Sequence, residues 1–140
     1  MHKRDYLVKQ FEEFGKVMAV LLGLKRDGKY PELSSLIDDS TIKYTSIEID
    51  FVESLKDNEL IFILTQEKKL SDEQLKMLAD LLFEKGEYYA SYNSTQEVQA
   101  NCYQKAYLIY LFLKENATLN YSLDMHYKLE ILTKMGLQSH

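Results

Sequence analysis

The chain has 140 residues, enough for one domain with a real core, and its 46% apolar and 28% charged content excludes a disordered tail. A net charge of −5 and a pI near 5.2 argue against nucleic acid as a partner, because a phosphate-binding protein presents a basic surface. One proline and five glycines are few breakers for this length, so long helices are predicted rather than a many-turned β-fold.

The first predicted helix runs from about Asp5 to Arg26. Leu7, Phe11, Phe14, Met18, Leu21 and Leu22 recur at three- and four-residue steps and form one apolar stripe. Val8, Val17, Val20 and Leu24 widen it, which implies burial between two layers or against a partner chain, including a second copy in a homodimer. The longest uncharged apolar run, Val17 to Leu24, is too short to span a bilayer and has no convincing cleavage site after it. No membrane association is therefore predicted, and the expected compartment is the cytoplasm. The sequons at Asn93, Asn116 and Asn120 are then chance matches. Gly28 suits the end of this helix and Pro31 the first turn of the next, about Pro31 to Tyr44, with Leu33, Leu36, Ile37 and Ile42 inward.

Over 46–57, Ile47, Ile49 and Phe51 alternate with Glu48 and Asp50 in the period of a strand. No second alternating run exists to pair with it, so an extended link passing into a short helical turn is predicted. The third helix, about Asp57 to Gln66, is preceded by Ser54 at capping-box spacing and carries the apolar run LIFIL. A fourth starts at Ser71, with Gln74 three residues on, and reaches about Tyr92 on Leu75, Leu78, Ala79, Leu82, Phe83 and Tyr89. A fifth starts at Ser94, with Glu97 three residues on, and reaches about Glu115 on Val98, Cys102, Ala106, Ile109 and Leu113. The sixth, about Ser122 to Met135, buries Met125, Leu129 and Leu132, and Gly136 ends it. No linker divides the chain, so 1–140 form one domain.

Antiparallel helices approach closely where side chains are small, with aromatic rings filling the gap beside them. Gly86, Tyr89, Tyr103 and Ala106 supply that combination across the fourth and fifth helices. The pattern resembles the tetratricopeptide-repeat signature, a glycine three residues before a tyrosine on one helix and an aromatic three before an alanine on the next. Gln99 stands where the repeat has an alanine, and no proline follows the second helix. The turn DGKYPEL, Asp27 to Leu33, is similar to another inter-helix turn of this kind. As a whole the layout is similar to an uncharacterised bacterial family with tetratricopeptide-like folds. The resemblance implies an all-α array of antiparallel hairpins, about six helices, with a right-handed course. It implies no catalytic residue, because no activity is settled for that family.

The residues themselves announce little chemistry. Cys102 is alone, so it has no intramolecular disulfide partner, and it sits in an apolar helical pattern. His126 and Glu130 are one helical turn apart, the spacing of a surface ion pair or of half a metal site. Asp50, Glu53, Asp57 and Glu59 cluster without the glycine a calcium loop requires. No metal or cofactor is predicted. Eight of the eleven tyrosines fall between Tyr88 and Tyr127, and Tyr103, Tyr107 and Tyr110 share a face of the fifth helix. Two roles are open to that stripe: packing against the neighbouring helices, or lining a groove that receives a peptide or helix. The expected function is a non-catalytic protein-interaction scaffold; the alternative is a small-ligand binder or enzyme with a pocket near His126, Glu130 and the tyrosines.

Overall fold

The computed structural model describes residues 3–92, 95–116 and 122–137. The fold is all-α. Seven α-helices lie among the described residues: α1 (Lys3–Arg26), α2 (Tyr30–Thr45), α3 (Ile49–Ser54), α4 (Asp57–Phe62), α5 (Asp72–Ser91), α6 (Gln96–Asn116) and α7 (Leu123–Lys134). None of them is long and apolar enough to cross a membrane.

α5 is the central element, with α2 and α6 packed along it and α1 against a third side; α7 and α4 close over α6. The core follows the apolar periods: Phe14 and Leu21 of α1, Leu33 and Ile37 of α2, Leu75, Leu78 and Leu82 of α5, and Ile109 and Leu113 of α6 are all buried. Phe14 meets the Tyr44 ring edge-on at a centroid distance of 5.3 Å, fastening α1 to α2.

Local rules explain several boundaries. Gly28 has φ +71°, and Lys29 N–H donates to the Leu24 carbonyl at 2.9 Å, so a left-handed residue closes α1. At the start of α5, the Ser71 hydroxyl accepts from Gln74 N–H at 3.1 Å while the Gln74 side chain accepts from Ser71 N–H at 3.0 Å.

Elsewhere tertiary packing overrides the pattern. The stretch 46–57 is more helical than an extended link: Ile47 and Ile49 bury, and Ile49 already opens α3. The box expected from Ser54 and Asp57 is absent; the Ser54 hydroxyl instead donates back to the Phe51 carbonyl at 2.6 Å, because α3 ends there. The expected third helix holds α-geometry only to Phe62 and continues as a π-helical turn, Ile63–Glu67, where Lys68 N–H donates to the Ile63 carbonyl at 2.9 Å. Ile42 and Val98, expected inward, are largely exposed. The cap expected at Ser94 lies outside the described residues.

Candidate functional site

The seam between α5 and α6 carries the residues that the repeat-like pattern singles out. Tyr103 packs directly on Gly86: a Cβ added to the glycine would sit 2.8 Å from two ring carbons. The ring also stands edge-on to Phe83 at 5.8 Å, and its hydroxyl donates to Glu87 Oε2 at 2.6 Å. Ala106, one turn along α6, is fully buried. Tyr89 is half-buried, and its hydroxyl is hydrogen-bonded to Glu53. Burial, with the acceptor carboxylates second, pushes both phenols well above their ordinary range, so they stay protonated donors.

The tyrosine stripe does not stand open as a groove. Tyr110 is fully buried and donates to Asp80 Oδ1, while Tyr107 and Tyr103 are buried in the same core. The physical reason is that α6 is enclosed by α5, α4 and α7, so its outward face finds neighbours as well. Tyr103 also lines a cavity.

That cavity is an open cleft of about 450 Å³ between the start of α6 and the end of α7. Ala100, Tyr103, Met135 and Leu137 form its apolar lining, with Gln96, Glu97 and Gln99 around them. His126 and Glu130 lie elsewhere, Nε2 to Oε2 3.6 Å apart on the exposed face of α7. They border a smaller cavity of about 300 Å³ with Leu111, Lys114, Leu129, Thr133 and Lys134, and none of its lining residues is a tyrosine. Among the described residues no group of three or more His, Cys, Asp or Glu side chains could hold a metal ion.

Two buried charge networks flank α5, and the sequence hints at only one of them. On one side Asp80 receives the Lys128 ammonium at 3.2 Å and the Lys76 ammonium at 2.5 Å, and both lysines also reach Asp124. Lys76 lies over the Phe11 ring of α1 at 5.8 Å, so one side chain joins α1, α5 and α7. On the other side Lys85 donates to Asp38 at 2.7 Å and Ser34 at 3.1 Å, beneath the Tyr88 and Tyr89 rings. Lys105 donates to Asp57 at 3.0 Å and Asn101 at 3.1 Å. Cys102 donates to Glu53 Oε1 at 2.9 Å from a fully buried position. Burial, then Glu53, drives that thiol far above its ordinary range, which leaves it without nucleophilic character. The only advance signal was Lys76, Asp80 and Glu84 at four-residue spacing inside a strongly apolar run.

Compared with known protein families, curated proteins and solved structures, the chain matches none.

Proposed function

We propose that the chain is a cytoplasmic, non-catalytic protein-interaction module of tetratricopeptide-like build, whose α6–α7 cleft takes an apolar side chain of a peptide partner. The observation that carries this reading is the cleft's composition: Ala100, Tyr103, Met135 and Leu137 form an apolar floor inside a rim of Gln96, Glu97 and Gln99. An apolar centre within a polar rim is the anatomy of an interface, and aromatic and methionine side chains are enriched in such centres. The volume of about 450 Å³ lies in the range of ligand sites. Rigidity supports the same reading, since Tyr103 is pinned by Gly86, Phe83 and Glu87 and presents a fixed surface.

The test is selection of displayed random peptides on the purified chain, followed by titration of the enriched peptides. Ala100 is exposed, so Ala100→Trp fills the cleft without entering the core. Selected peptides are expected to share an apolar anchor and to bind the Ala100→Trp chain at least about tenfold more weakly. Equal affinity for both chains would remove the cleft from the proposal.

A further inference from the structure

α1 is held to the chain by one side. Phe14 and Leu21 are buried, Glu13 accepts from Tyr44 of α2, and Lys25 reaches Glu84 and Glu87 of α5. The opposite side is uncovered: Glu12, Gly15, Ala19 and Arg26 are exposed, and Val8 and Leu22 are each 49% exposed. A Cβ on Gly15 would meet nothing within 4 Å, and one on Gly23 only the tip of Arg26 at 3.9 Å. Glycine within a helix is destabilising relative to alanine, and packing inside the chain gives neither glycine a reason to be there.

Charge on this face is also unspent. Glu12 makes no ion pair among the described residues, and Arg26 meets only its neighbour Asp27, at 3.4 Å, while its side chain stays 80% exposed. Glu12, Gly15, Ala19, Gly23 and Arg26 follow at steps of three, four, four and three residues. The face therefore reads alike in both directions about Ala19, small residues at matching positions and opposite charges at the two ends. Such a pattern is complementary to itself when reversed.

We propose that this face docks a second copy of the chain, with the two α1 helices antiparallel and the two-fold axis beside Ala19. Glu12 then opposes the partner's Arg26 at both ends, Gly15 opposes the partner's Gly23, and the two Ala19 methyls meet at the centre. Small residues let the helix backbones approach, and Leu22 covers the flank of the contact. A parallel pair would set glutamate against glutamate and arginine against arginine, so the charges choose the direction. This surface shares no residue with the α6–α7 cleft, and either assignment can fail alone.

The full chain is examined by sedimentation equilibrium over about 1–200 µM, the range in which a modest helix contact dissociates. Wild type is expected to form a dimer. Ala19→Glu, at an exposed position, is expected to weaken it at least about tenfold, and Glu12→Arg or Arg26→Glu alone each by about tenfold. The double variant Glu12→Arg/Arg26→Glu is expected to return to within about threefold of wild type, a recovery that misfolding cannot mimic. Far-UV circular dichroism unchanged across the set identifies the losses as dissociation. A wild-type monomer throughout, or a dimer indifferent to Ala19→Glu, would overturn the proposal. A double variant as weak as the singles would overturn the antiparallel register.

Discussion

The Tyr103 ring occupies the space a side chain on Gly86 would need, with Cδ1 and Cε1 both 2.8 Å from where a Cβ would be. The ring has nowhere to go: Glu87 holds its hydroxyl at 2.6 Å and Phe83 stands against its edge. Gly86→Ala would gain about 1 kcal/mol of helix propensity. Overpacking costs about 1–3 kcal/mol, and a pinned ring puts this site at the upper end. A net loss of about 1–2 kcal/mol is therefore expected from urea midpoints. In a Tyr103→Leu background the same substitution is expected to cost less than about 0.5 kcal/mol. An equal cost in both backgrounds would mean that the ring is not what excludes the methyl.

Asp80 is the hub of the α5–α6–α7 contact. It is buried with Lys76 and Lys128 on its two oxygens and the Tyr110 hydroxyl on one of them. Asp80→Ala leaves two largely buried ammonium groups without their main counter-charge, and breaking a buried pair from one side costs about 3–5 kcal/mol. Asp124 lies half-exposed beside both lysines and offsets part of this, so about 3 kcal/mol is expected. Tyr110→Phe removes one hydrogen bond but keeps the ring and both ion pairs, and about 1–2 kcal/mol is expected. Denaturant titration of both variants checks the order; Tyr110→Phe costing as much as Asp80→Ala would mean that the lysines do not depend on Asp80.

Local signals were legible in the sequence, and enclosure was not. Ser71 with Gln74 and the Gly28 turn form because their partners lie within a few residues. Ser54 with Asp57 had the same spacing but failed, because α3 ends between them and the hydroxyl turns back to Phe51. The stripe of Tyr103, Tyr107 and Tyr110 showed that they share a face; it could not show that α4 and α7 close over α6. Lys76, Asp80 and Glu84 carry the spacing of a solvated helix face, and only α1 and α7 arriving from elsewhere bury them. Tyr107→Ala is accordingly expected to lower stability by about 3–5 kcal/mol, as for an aromatic removed from a core. A thermal melt unchanged from wild type would contradict its place in the core.

Cys102 is fully buried with its thiol donating to Glu53, and burial followed by that carboxylate drives its titration far upward. A disulfide reagent attacks thiolate, so the folded chain is expected to resist labelling. Labelling rates at increasing urea should follow the fraction unfolded measured by circular dichroism, since Cys102 is fully buried on α6, the helix most extensively packed on α5. Rapid modification of the native chain in buffer would show that α6 opens locally.

Glu84 and Lys25 share an ion pair at 3.5 Å, yet they respond to it differently. Glu84 is 4% exposed, and burial pushes its carboxyl above the ordinary 4.5, with Lys25 and Lys128 offsetting only part of that. Lys25 is 32% exposed; burial pulls its ammonium down, but Glu84 and Glu87 outweigh this and hold it above 10.5. A carboxyl raised on folding binds more protons in the folded state over the interval above 4.5, so its contribution grows as pH falls through that interval. The advantage of wild type over Glu84→Gln, read from urea midpoints, is therefore expected to be larger at about pH 5 than at about pH 7.5. Lys25 stays charged across this window and adds no slope to it. Parallel curves for the two chains would mean that Glu84 titrates as it does in the unfolded chain, and that the α1–α5 pair, not burial, decides its charge.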